Sequence, residues 1–157
     1  MDKVLVLVDV QNVYYTTRQA FRRNFDYNAF WAKVGANRSI VKAIAYATDR
    51  GDTKQREFQN ILRAIGFEVK LKPYLQRADG SAKADWDVGI TIDALEYAEL
   101  ADVVVLVSGD GDYDLLVQNL RHKRKKRVEV YGVRQLSADN LIKAASQFEA
   151  IDDPLLL

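Results

Sequence analysis

Cysteine is absent from the 157 residues, which excludes disulfides and thiolate metal sites. Histidine is almost absent as well. His122 stands alone, so neither a histidine-rich zinc centre nor a Ser-His-Asp triad is expected. No apolar run approaches the roughly 20 residues that a membrane-spanning helix needs. Met1-Asp2-Lys3 followed by Val4 to Val8 is too short for a signal peptide and reads as a buried strand. With no cysteine and no leader pattern, the expected compartment is the cytoplasm. Charge of one sign is also lacking. The formal net charge is +1, so no global field draws the chain to nucleic acid.

What is present fits a folded domain. Charged residues make up 29% and hydrophobic residues 48%, a balance that separates the chain from disordered sequences. The length favours a single domain over residues 1–157 with an adequate core. Short apolar runs alternate with helical patterns. Val4–Val8, Ile40–Ala47, Phe67–Tyr74, Val103–Val107 and Val128–Val133 read as strands, with a short edge strand at Phe148–Ile151. Helices are predicted over about 13–23, 27–34, 53–65, 86–98 and 137–145, with another after residue 112. Phe58, Ile61, Leu62 and Ile65 share a face in the third, and Gly66 is placed to end it. Val88, Ile92 and Leu95 are predicted to share the buried face of the fourth. Residues 75–84 are polar and read as a mobile loop.

This alternation predicts a three-layer α/β/α fold with a parallel sheet of strand order 3-2-1-4-5. The winding reverses between the first and fourth strands, and open α/β sheets bind ligands beyond the carboxyl ends at that switch point. Three acidic motifs converge there. They are Asp9-Val10-Gln11-Asn12, Lys83-Ala84-Asp85-Trp86-Asp87 and Ser108-Gly109-Asp110-Gly111-Asp112-Tyr113-Asp114. Crowded carboxylates repel and need a compensating charge. A hard divalent cation, Mg²⁺ or Mn²⁺, supplies that charge through oxygen ligands.

Each acid also has a plainer reading. Asp9 and Asp110 sit where helix caps belong, and Asp87 suits a helix start by charge alone. Asp85 can perform that cap and leave Asp87 free to face the cleft. Asp93 is about 240° around the helix from Asp87 and about 9 Å along it, so it is assigned a structural role. Asn12 could orient a carboxylate or contact a phosphate. Ser108 and the N–H groups of the following turn could receive a phosphate as well. Lys83 is a candidate phosphate contact set against a solvated surface lysine. Tyr14, Tyr15 and Trp86 could stack on bases, though packing is the commoner use of such aromatics. The basic run Arg121 to Arg127 closes a helix, far from the acids. The apolar end of the tail, Leu155-Leu156-Leu157, could dock on a neighbour, a second copy in a homodimer included.

The motif set resembles the NYN domain family, in particular its bacterial LabA-like (DUF88) branch, within the larger group of PIN-like nucleases. The resemblance covers nearly the whole chain. It rests on Val8 to Asn12, on Lys83 to Asp93, and on Val107 to Tyr113. It implies a PIN-like fold and a metal-dependent ribonuclease acting on RNA. Asp9, Asp87, Asp110 and Asp112 would be the catalytic and metal-binding set, with Asn12, Lys83 and Ser108 toward the RNA phosphate. Two other readings compete. One is a non-catalytic RNA- or protein-binding regulatory module on the same fold. The other is a small-molecule phosphatase, against which stands the lack of an Asp-x-Asp pair after the first strand.

Overall fold

The computed structural model describes residues 1–73, 75–76, 82–83 and 85–157. Six parallel strands form one sheet: β1 (Lys3–Asp9), β2 (Ser39–Asp49), β3 (Glu68–Pro73), β6 (Val103–Val107), β7 (Arg127–Gly132) and β8 (Gln147–Ala150). Their order is β3-β2-β1-β6-β7-β8, the expected order with the edge strand added. Two short strands, β4 (Leu75–Gln76) and β5 (Ala82–Lys83), pair antiparallel inside the segment expected to be a loop. The rest of that segment lies outside the described residues.

β1 and β6 are central, and Val4 to Val8 run beside Val103 to Val107 in register. Side chains alternate across a strand, so each face of β1 feeds a different layer. Val4, Val6 and Val8 pack with α1 (Val10–Phe21), α2 (Tyr27–Gly35) and α3 (Thr53–Ile65), through Val13, Phe30, Val34 and Leu62. Leu5 and Leu7 pack on the other face with α4 (Asp87–Tyr97), α5 (Asp114–His122) and α6 (Asp139–Ala144), through Ile90, Leu116, Val117 and Leu141. Strands buried on both faces explain why β1 and β6 are apolar without interruption.

Local signals set several ends. Gly66 caps α3 at φ +138°, and a Cβ there would lie 2.6 Å from the Trp31 ring, so only glycine fits. Asp26 and Asp52 cap α2 and α3 through their side chains.

Two expectations are corrected. The buried face of α4 carries Ile90, Asp93 and Ala94, while Val88 and Ile92 face outward. Asp93 turns the helix this way, because it accepts hydrogen bonds from Tyr46 of β2 and Lys70 of β3, both at 2.8 Å. Most of the tail folds back onto its own chain, and of its three leucines Leu157 alone stays exposed. Leu155 and Leu156 are buried in the first core, and the backbone bonds back to residues 24–26, with Asp26 N–H donating to the Leu155 carbonyl at 2.8 Å. The basic run closes α5 and leads into the amino end of β7, as expected. Arg124 and Arg127 pair there with Glu99 and Glu129.

Candidate functional site

The last residue of β1 is Asp9, 8% exposed, beyond which α1 begins. Its carboxylate caps α1 by accepting the Asn12 N–H at 3.4 Å, and it also accepts the Ser108 hydroxyl at 3.4 Å. Capping and site-building are therefore one arrangement. Asn12 reaches across the switch point, and its side-chain carbonyl accepts the Gly109 N–H at 3.0 Å. The Ser108 hydroxyl, in turn, accepts the Asp110 N–H at 3.2 Å. Asn12 and Ser108 thus lock the β6–α5 turn to the β1–α1 turn. Ser108 is 1% exposed, with its hydroxyl engaged by Asp9 and Asp110.

Asp110 caps the following 3-10 turn by accepting the Asp112 N–H at 2.9 Å. The N–H groups of Gly109, Asp110, Asp112 and Tyr113 all have partners within the protein. These four groups are therefore engaged before any phosphate arrives. The glycines of this turn permit close approach. A Cβ on Gly109 would lie 2.7 Å from the Ser137 hydroxyl, and one on Gly111 2.8 Å from Ala138.

Asp87 arrives from the other side as the first residue of α4. Its N–H is held by the Asp85 carboxylate at 2.7 Å, the division of labour expected from the sequence. Tyr113 donates its hydroxyl to Asp87 at 3.0 Å. Tyr113 is fully buried, yet its tip positions an acid from a different motif. Trp86 is held by a bond from its indole N–H to the Ala47 carbonyl at 2.9 Å, and its ring meets Tyr46 and Lys72. Packing accounts for Trp86, and base stacking is not needed to explain it.

Asp87, Asp110 and Asp112 each direct a carboxylate oxygen into one space, with those atoms within 4.8 Å of one another. Asp9 stands beside this trio, joined to it through Ser108 and the Asp110 charge. Asp93 belongs to the Tyr46–Lys70 network instead. The Lys83 side chain lies outside the described residues. Burial pushes the Asp9 carboxyl up from its ordinary 3.8 to about 6; the Asp110 and Asp85 charges add to this, and the Asn12 and Ser108 bonds oppose it. Burial likewise pushes Asp87 up to about 7, against the Tyr113 bond and with the charges of Asp110 and Asp85.

Burial is the main reason these two acids resist ionisation, and the neighbouring carboxylates add to it, so a bound cation would favour their charged forms. The oxygen-only donor set fits a hard divalent cation. Such carboxylate oxygens are the ordinary ligands of Mg²⁺ and Mn²⁺.

Known proteins place the chain. It aligns with the cyanobacterial "Low amplitude and bright protein LabA" of Synechococcus elongatus at 25% identity, covering 96% of this chain and 84% of that one. A crystal structure of a Vibrio parahaemolyticus protein of unknown function superposes with a TM-score of 0.95 at 57% identity, over 99% of this chain and 96% of the other. The family model of the NYN domain matches residues 3–152, and on that coverage the chain belongs to the NYN domain family.

Proposed function

We propose that this protein is a metal-dependent ribonuclease that hydrolyses RNA phosphodiester bonds at the Asp87–Asp110–Asp112 cluster. The observation that carries this reading is the meeting of three carboxylates from two distant motifs at the sheet's switch point. Mg²⁺ or Mn²⁺ would be held by Asp87, Asp110 and Asp112, and on binding it would supply water activation and charge neutralisation at the phosphate. Asp9 serves beside them. To coordinate directly it would release its bond to Asn12 or Ser108; otherwise it acts through Ser108 on the Asp110 turn. Tyr113 and Asp85 fix Asp87, the first through its side chain and the second through its backbone. Asn12 fixes the turn that carries Asp110. Lys83, next to this motif in sequence, is the proposed phosphate contact from outside the acid cluster.

The test is incubation of wild type and Asp110→Asn with single-stranded and structured RNA in Mn²⁺. Wild type should cleave, chelator should stop it, and Asp110→Asn should lose at least about 100-fold in rate. Equal cleavage by both proteins would remove the acid cluster from the chemistry. Calorimetric titration with Mn²⁺ separates catalysis from mere RNA binding: no metal uptake at millimolar Mn²⁺ would support the binding-module reading.

A further inference from the structure

A cavity near the carboxyl end of the sheet plays no part in the proposed chemistry. It encloses about 570 Å³ between α1, the carboxyl end of β2 and the start of α3. That volume lies within the ~300–1,000 Å³ typical of ligand pockets. Its wall begins at Val10 and Gln11, the two residues after Asp9, and takes in Ala47 and Thr48 of β2, so it opens at the same carboxyl end of the sheet as the acids. Tyr27 lines the cavity and also lies within the field of the Asp9 charge.

The lining has three parts. Val13, Phe25 and Phe58 give an apolar floor. Tyr14 and Tyr15 stand at the rim edge to face, with ring centroids 5.5 Å apart and each about half exposed. Such exposure is unusual for two adjacent aromatics, and neither belongs to the buried core. Polar groups complete the wall. The Gln11 and Gln55 amide side chains and the Lys54 side chain are among them.

We propose that this cavity is a nucleobase pocket, which takes the base of one unpaired nucleotide flanking the phosphate at the acid cluster. The proposal rests on the ribonuclease reading for the position of that phosphate. Each requirement of a nucleotide meets a feature of the wall. A flat π-surface stacks on exposed tyrosines with little sequence preference. Every RNA base carries donors and acceptors on its pairing edge, and the Gln11 and Gln55 amides line the wall to meet them. A backbone phosphate leaving the pocket meets Lys54. An aliphatic peptide side chain would make no use of the amides or of the cation. Because a paired base cannot enter, unpaired RNA should be preferred over duplex.

The test is binding, measured apart from cleavage. Asp110→Asn serves as background, in chelator and again in Mn²⁺, with a fluorescein-labelled single-stranded hexanucleotide and a duplex of the same sequence. Fluorescence anisotropy should show tighter binding of the single strand. Adding Tyr14→Ala and Tyr15→Ala should weaken it by about 5- to 150-fold, the range that corresponds to loss of one stacked base. Gln55→Leu should weaken it too. Circular dichroism melting should be unchanged in the tyrosine variants, since both side chains are half exposed. A series of single abasic sites should find one position whose removal costs affinity, and that cost should vanish in the double-tyrosine protein. Equal affinities of the tyrosine variants and their parent, or an abasic effect that persists without the tyrosines, would overturn the pocket. The two readings fail separately. Wild-type protein that cleaves RNA but shows no tyrosine–abasic coupling loses the pocket alone, and coupling without Mn²⁺-dependent cleavage loses the nuclease alone.

Discussion

Replacing Asp9 by asparagine should make the metal-free protein more stable at alkaline pH. Burial holds the Asp9 carboxyl near 6 instead of its ordinary 3.8. Between those values the folded state binds a proton that the unfolded state has released. Stability therefore falls as pH rises from about 4 to about 7, and the whole penalty is present above that. A shift of about two units corresponds to about 3 kcal/mol. At 8% exposure, little solvent screening reduces it. Asparagine cannot ionise and caps a helix as well as aspartate does, so the Asn12 bond survives. The Ser108 bond is lost, but at 3.4 Å it is long and its loss costs about 1 kcal/mol at most. The net gain at pH 8 is about 2 kcal/mol, or about 4–8 °C in Tm for a domain of this size. Thermal or urea denaturation in chelator from pH 5 to pH 8 reads it out. The advantage of the variant should shrink toward pH 5, where wild type is largely protonated at Asp9. Glu129 does not intrude on this window. Burial raises its pKa, but the bonds from Arg38 and Arg127 outweigh that and hold it below 4.5, so its contribution is lost only at lower pH. A variant less stable than wild type at pH 8, or an advantage constant from pH 5 to 8, would refute the desolvation argument.

Mn²⁺ affinity should fall steeply as pH drops from about 7 toward 5, with proton uptake on release, because Asp87 and Asp9 must ionise to favour the cation. Calorimetry in buffers of different ionisation enthalpy measures both. Asp93→Ala should cost about 2–4 kcal/mol, since it leaves the buried Tyr46 hydroxyl and Lys70 unpaired, yet RNA cleavage per folded molecule should be unchanged. Urea denaturation alongside the RNA assay decides it, and lost cleavage in a folded variant would bring Asp93 into the site. Gly89→Ala gains about 1 kcal/mol of helix propensity, but its Cβ would lie 2.6 Å from the Trp86 ring. Displacing Trp86 breaks its bond to Ala47, so the variant should melt lower and bind Mn²⁺ more weakly through a shifted Asp87.

The central strands were legible because burial on both faces leaves an unbroken apolar run, as in Val103–Val107. The strand order was legible in the alternation of strands and helices, and it brings the first and third acidic motifs to the ends of neighbouring strands β1 and β6. The face of α4 was not legible. Its residues are apolar nearly all round, and the deciding contact is an ion pair from Asp93 to Lys70, 23 positions away. Tyr113 was hidden for a similar reason: a tyrosine at core spacing shows nothing of the carboxylate 26 residues back that its hydroxyl holds. The cavity joins α1 to α3, so neither helix announces it alone. The tail looked like a sticky end because its leucines are consecutive, whereas their partners, residues 24–26, lie over a hundred positions earlier.

Asp110 is the larger of the two charges, with Asp85, that act on both perturbed acids. It raises Asp9 and Asp87 alike, while Asp9 and Asp87 reach it from opposite sides, one through Ser108 and one across the space shared with Asp112. Neutralising Asp110 therefore relieves repulsion at two neighbours at once. Asparagine retains the carbonyl that accepts the Asp112 N–H, so the 3-10 turn keeps its cap. Asp110→Asn should then raise metal-free stability at pH 8 while it removes a ligand and lowers cleavage. Stability and activity moving in opposite directions cannot come from a folding defect, which would lower both. The same substitution that tests the chemistry thus carries its own control, and the thermal melt must be read before the RNA gel.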